Sequence, residues 1–172
     1  MMNFVPFDSP QLSRPADLVT DISTEVVEFV MELADLMGSN QKIAALHAVQ
    51  VEHPLSHLNL FVYRGTDGSA KAFLNPLVVE ASLVRIVHEG CVSLPGCDFS
   101  LPRPAHVRVT GIDLDGNDLD ITPTTPLETQ IMAHETDHGL GRTILTKVRK
   151  DIRDKAIRKL TKRIPSAALL NP

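Results

Sequence analysis

The chain has 172 residues, 43% hydrophobic and 22% charged, with net charge -4; this suits one domain over residues 1–172 around a real hydrophobic core. With no Trp and one Tyr, it lacks the aromatic platforms on which single-stranded nucleic acid stacks, and no DNA partner is expected. The start MMNFVPFDSPQLSRPADL has no basic-then-apolar export pattern, no apolar run could span a bilayer, and two cysteines are too few for a disulfide framework. A cytoplasmic protein without a membrane partner is expected.

In chain order, the first helix is predicted over Asp21–Met37, where Val26, Val27, Phe29, Val30, Leu33 and Leu36 recur at helical spacing before Gly38. His57–Tyr63 and Ala70–Leu74 flank Gly-Thr-Asp-Gly and read as a hairpin. Leu77–Glu80, Leu83–His88 and Val107–Leu114 are further strand candidates, and Asp115-Gly116-Asn117 turns the last into Asp118–Ile121. Thr125-Pro126-Leu127-Glu128 opens a helix with a cap, a first-position proline and a capping box; this helix should run through His138 and stop near Gly139 and Gly141. A last helix over about Thr143–Arg163 would put Leu145, Val148, Ile152, Ala156, Leu160 and Ile164 on one face. A helix, antiparallel strands and then helices make an α+β domain.

Charge is uneven. Ten Lys/Arg stand against Asp151 and Asp154 between Arg142 and Arg163, a net of +8 that leaves -12 for the rest. A basic C-terminal helix (143–164) could meet a polyanion, or be simply a solvated amphipathic face.

His134-Glu135-Thr136-Asp137-His138 is an H-E-x-x-H motif inside the predicted capped helix. Residues four apart share a face, so both imidazoles can reach one ion, with Glu135 beside them as acid and base. An ion of the Zn²⁺ or Fe²⁺ class would lower the pKa of a bound water toward neutrality. A third protein ligand is required. Downstream there is no glutamate after Glu135, and Ile144 stands where an extended motif would place another histidine, so the third ligand is expected upstream. The best candidate there is Cys91, in Glu89-Gly90-Cys91-Val92-Ser93-Leu94-Pro95.

This string resembles the peptide deformylase signature E-G-C-[LV]-S, and His134–His138 resembles that family's H-E-x-D-H. Asn75-Pro76, Val79-Glu80-Ala81, Pro102-Arg103-Pro104 and Asp113–Asn117 also resemble it, and the likeness extends from about Asp8 to Leu160. The resemblance implies antiparallel sheets packed around the motif helix. It implies a metal held by Cys91, His134 and His138, with Fe²⁺ native and Zn²⁺, Ni²⁺ or Co²⁺ tolerated. Glu135 would be the general acid and base, and Gln50 with the Val92 N–H would hold the oxyanion. Glu89 and Arg103 would pair to hold the cysteine loop, Asp137 would orient neighbouring groups, and Gly90 would supply backbone freedom.

The family's first signature, G-x-G-L-A-A-x-Q, is eroded here to Ile43-Ala44-Ala45-Leu46-His47-Ala48-Val49-Gln50. Ala45 replaces a glycine beside the substrate peptide, and His47 replaces an alanine and is expected to fill core space. Asp98 lies where some relatives place a basic residue, and Ala133 replaces a glutamine.

The activity implied is removal of the N-formyl group from formyl-methionyl nascent chains through metal-bound hydroxide. The methionine pocket is expected to be lined by Ala44, Val87, Leu127 and Ile131, with Ala45 and Leu46 on the substrate-facing strand. The basic helix would dock on the ribosome near the exit tunnel. The alternatives are a related metalloamidase acting on another acyl group, and a metal-bound but catalytically silent interaction module.

Overall fold

The computed structural model describes residues 2–162. In chain order it contains α1 (Thr24–Gly38), β1 (Ala45–His47), β2 (Leu60–Arg64), β3 (Ala70–Gly90), β4 (Asp98–Ile112), β5 (Asp118–Ile121), α2 (Pro126–Gly139), α3 (Ile144–Lys147) and α4 (Lys150–Thr161). Short 3₁₀ turns lie at Pro10–Ser13 and Ala48–Gln50. The five strands form one antiparallel sheet in the order β1-β2-β3-β4-β5, so every strand pairs with its neighbour in the chain. This is the expected α+β class. Among the described residues no helix is long and apolar enough to cross a membrane.

The sheet is covered on both sides where the site is built, and β2 shows why. Side chains alternate along a strand, yet Leu60, Phe61, Val62 and Tyr63 are all buried. Leu60 and Val62 pack with Phe29, Leu33 and Met37 of α1. Phe61 and Tyr63 pack with Phe73, Val109, Ile131 and Met132, on the α2 side. β2 is therefore buried on both faces from Leu60 to Tyr63, and the motif helix is enclosed between the sheet and the rest of the chain.

α2 has almost no amphipathic pattern because nearly all of it is inside. Every residue from Ile131 to Gly139 is buried, the condition in which a helix carries no polar stripe. Its ends were legible instead. Thr125 Oγ1 accepts the Glu128 N–H at 3.2 Å, and Pro126 occupies the first turn. The capping box is half formed: Glu128 Oε2 accepts the Thr125 hydroxyl at 3.3 Å. At the other end Gly141 adopts φ +68, a conformation glycine takes freely, and its N–H reaches His138 O at 3.0 Å.

Two expectations require correction. Ala70–Leu74, Leu77–Glu80 and Leu83–His88 are one long strand, β3. Asn75-Pro76 does not end it because Asn75 takes φ +52 and the register shifts between Leu74 and Leu77. The Asn75 amide pins this bulge, accepting the Val19 N–H and donating to Val19 O, both at 2.8 Å. The expected C-terminal helix is broken into α3 and α4, with Val148 and Arg149 extended between them. The break lets Ile144 and Leu145 join Ala156 and Leu160 in one cluster with Leu94, Phe99 and Leu101. A straight helix would have aimed Ile152 inward as well, but it is exposed. Ile164, expected on the same face, lies outside the described residues.

Candidate metal centre

Three segments distant in sequence meet at one end of the sheet. β3 ends at Gly90 and delivers Cys91; α2 delivers His134, Glu135 and His138; the 3₁₀ turn after β1 delivers Gln50. The ligand atoms of Cys91, His134 and His138 lie within 4.8 Å of one another. His134 Nε2 and His138 Nε2 are 3.1 Å apart, and Cys91 Sγ is 3.4 Å from His138 Nε2. Two imidazole lone pairs and a sulfur so arranged repel unless a cation or protons lie between them. One soft and two borderline donors fit a Zn²⁺- or Fe²⁺-class ion with a position left open.

The surroundings fix the imidazole as a ligand requires. Glu89 Oε1 lies 2.5 Å from His134 Nδ1, so that nitrogen carries the proton and Nε2 keeps its lone pair for an ion. Arg103 grips the same carboxylate twice, Nε to Oε2 at 2.9 Å and Nη2 to Oε1 at 2.5 Å. Burial alone would raise the Glu89 pKa, but the hydrogen bonds from His134 and Arg103 outweigh it and hold it at about 2. Arg103 Nη1 also donates to Asp137, which Lys147 meets from α3 at 2.9 Å. The Glu89–Arg103 pair expected from sequence is present; it ties β3 and β4 to the motif helix.

Glu135 is 3% exposed, and no hydrogen-bond partner reaches its Oε2 among the described residues. Burial pushes its carboxyl up to about 7, and a divalent cation alongside would lower it again. Gln50 is equally enclosed. Its Oε1 accepts the backbone N–H of His47 at 2.8 Å, and its Nε2 donates to Cys91 Sγ at 3.1 Å and Ser93 Oγ at 3.4 Å. It sits at the end of the 3₁₀ turn Ala48–Gln50.

A cavity of about 420 Å³ opens onto these groups, a size ordinary for a ligand site. Its walls include Gln50, Cys91, Val92, His134 and Glu135, together with Ala44, Ala45, Leu127 and Ile131. Leu46 and Val87 were expected there and are not in the walls. Leu46 faces α1 in the core, on the opposite side of its strand from Ala45, and Val87 packs with Leu94 and Leu101. Gly90 lines the cavity without a left-handed backbone; a Cβ there would lie 2.9 Å from Asp98 Oδ1, so it supplies room. Sequence reasoning missed Lys42, Asn40 and Gln130 at the cavity, Ser93 beside Gln50, and Lys147 beside Asp137. Ser93 was signalled by its place in the cysteine motif; polar or basic residues in helices and turns carried no signal.

The polypeptide deformylase family model matches residues 1–154. The chain belongs to the peptide deformylase family. It is 31% identical to the peptide deformylase of Desulfosudis oleivorans, over 97% of this chain and 96% of that one. With the peptide deformylase of Rhodopseudomonas palustris it shares 31% identity over 88% and 86% of the two chains. The crystal structure of peptide deformylase from Ehrlichia chaffeensis superposes with TM-score 0.84 at 27% identity, covering 94% of this chain and 95% of that one. A second structure of the Ehrlichia enzyme, in complex with actinonin, gives TM-score 0.85 at 27% identity, covering 94% of this chain and 96% of that one. The chain is thus an enzyme of the deformylase class, a hydrolase whose family uses a metal ion, and the Cys91–His134–His138 cluster is where this chain can hold one.

Proposed function

We propose that Cys91, His134 and His138 hold a single Fe²⁺ natively, with Zn²⁺, Ni²⁺ or Co²⁺ able to replace it, and that the site removes formyl groups from formyl-methionyl nascent peptides. The observation that carries this reading is the convergence on one cavity of that ligand set, the Gln50 amide and Glu135, whose Oε2 has no hydrogen-bond partner among the described residues. The bound ion would supply Lewis acidity, making water a nucleophile near neutral pH.

The chain's own groups would do the rest. Glu135 Oε2 accepts a proton from the attacking water and returns it to the leaving nitrogen. Gln50 Nε2, with the Val92 backbone N–H, donates to the oxygen of the formyl group as charge develops there. Glu89 and Arg103 keep the His134 ring in its ligating tautomer, with Asp137 bracing the arginine. Leu127, Ile131 and Ala44 offer apolar wall for the methionine side chain, with Ala45 beside the peptide backbone and Gly90 keeping the entrance open.

Exposed basic residues on α4 and just before it, Arg149, Lys150, Lys155 and Arg158, favour docking on ribosomal RNA phosphate in the cytoplasm. Such binding should weaken steeply with salt. Charge-neutral substitution of these residues should reduce ribosome co-sedimentation, and unchanged binding would remove the ribosome from the proposal.

The test is formate release from a formyl-methionyl tripeptide by protein purified without oxygen, with metal content measured on the same sample. Formate release with about one equivalent of metal is expected. Release of acetate from the acetyl-methionyl analogue, without formate from the formyl peptide, would point to a different acyl specificity. Actinonin should raise the Tm of the metal-loaded protein and leave a Cys91→Ser variant unaffected, as a ligand stabilises only the state that binds it.

A further inference from the structure

We infer that His47 is a positioning residue for this site: its imidazole locks the turn that aims the Gln50 amide donor into the cavity, and couples that turn to the end of the motif helix. The inference rests on the deformylase reading and assigns a role to a residue outside the expected site.

The His47 ring is fully buried. Its Nδ1 accepts the Val49 N–H at 3.2 Å, closing the Ala48–Gln50 turn. A neutral imidazole that accepts at Nδ1 carries its proton on Nε2, and Nε2 lies 3.3 Å from Asn59 Oδ1, an acceptor. Both ring nitrogens are thereby used, in one tautomer. Burial also disfavours the charged ring and holds its pKa at about 3.

The turn closed in this way determines which end of the Gln50 amide faces the site. The His47 backbone N–H occupies Gln50 Oε1 at 2.8 Å, leaving the NH₂ end to face Cys91 Sγ and Ser93 Oγ. A flipped amide would set NH₂ against N–H and lose the donor that an oxyanion needs. Asn59 extends the coupling to α2. It packs so closely on Gly139 that a Cβ there would lie 2.2 Å from Asn59 Oδ1 and 3.3 Å from His47 Nε2. Gly139 directly follows His138, whose ring centroid is 6.1 Å from that of His47. The family signature has alanine at this position, so the arrangement is a device of this chain.

The experiment is steady-state kinetics of metal-loaded variants on a formyl-methionyl tripeptide. His47→Ala should lower kcat by about tenfold, less than the loss of a whole oxyanion donor, with KM changed by no more than about twofold. His47→Asn, whose side-chain oxygen can accept an N–H two residues on, should recover most of kcat. In a Gln50→Ala background, His47→Ala should cause no further loss. A His47→Ala enzyme with wild-type kcat, or one that loses equally in both backgrounds, overturns the inference and leaves the deformylase reading standing. A wild type that releases no formate defeats that reading instead. Side-chain ¹⁵N resonances of wild-type His47 give a readout independent of turnover: the Nε2–H tautomer supports the arrangement, and the Nδ1–H tautomer overturns it.

Discussion

Glu89 Oε1 lies 2.5 Å from His134 Nδ1, both buried. The carboxylate remains ionised because His134 and Arg103 hold its pKa at about 2 despite burial. It therefore acts as a fixed acceptor that would hold the imidazole in the orientation a bound ion requires. Glu89→Gln keeps the shape and removes the charge. It should weaken metal affinity about 10- to 100-fold, the usual effect of removing such a partner. Competition for Zn²⁺ against a chromophoric chelator measures this, and unchanged affinity would show that the ring is oriented by packing alone.

Arg103 is 2% exposed and bridges Glu89 to Asp137. Arg103→Met would leave Glu89 without its bidentate partner and Asp137 with Lys147 alone. Breaking one side of a buried ion pair costs about 3–5 kcal/mol, which urea unfolding of the metal-free protein should report. Arg103→Lys should not rescue it, since a point charge cannot span the two carboxylates that the planar fork reaches.

What could be read in the sequence follows from where each signal is local. Thr125-Pro126 and the glycines after His138 bound the motif helix through its backbone ends, and the strand Asp118–Ile121 was bounded by its turn; both agree with the structure. The clustering of Cys91, His134 and His138 was legible because two motifs imply one ion. The break at Val148–Arg149 was not, because it serves packing onto Leu94, Phe99 and Leu101, residues some fifty positions away. The same reason hid the packing of Val87 onto Leu94 and Leu101, and the turn around Gln50, which a buried histidine closes.

Gly139 is a packing requirement of α2 where it meets Asn59. Its φ is not left-handed, so Gly139→Ala should be tolerated by the backbone and punished by contact, a Cβ lying 2.2 Å from Asn59 Oδ1. Overpacking of this kind costs about 1–3 kcal/mol. Asn59→Ala should by itself destabilise, yet relieve much of the Gly139→Ala penalty in the double variant. A double-mutant cycle from urea midpoints reads the coupling, and strict additivity would place the two residues out of contact.

At Glu135 one substitution should move activity and stability in opposite directions. Burial raises its carboxyl from 4.5 to about 7 in the metal-free protein. The folded chain therefore binds this proton more tightly than the unfolded chain. The associated stability is present below pH 4.5 and lost as pH rises through about 7. A raised pKa of this size corresponds to about 3 kcal/mol by pH 8, at roughly 1.4 kcal/mol per unit. Glu135→Gln removes the ionisation, so metal-free Glu135→Gln should be more stable than wild type at pH 8, with the advantage shrinking toward pH 4.5. Urea unfolding at several pH values measures this. The same variant should retain metal, since Cys91, His134 and His138 are untouched, and should lose about 10²- to 10⁴-fold in turnover with the proton carrier gone. Full activity in Glu135→Gln would overturn its role in proton transfer; a pH-independent stability difference would place the carboxylate in contact with water or a cation.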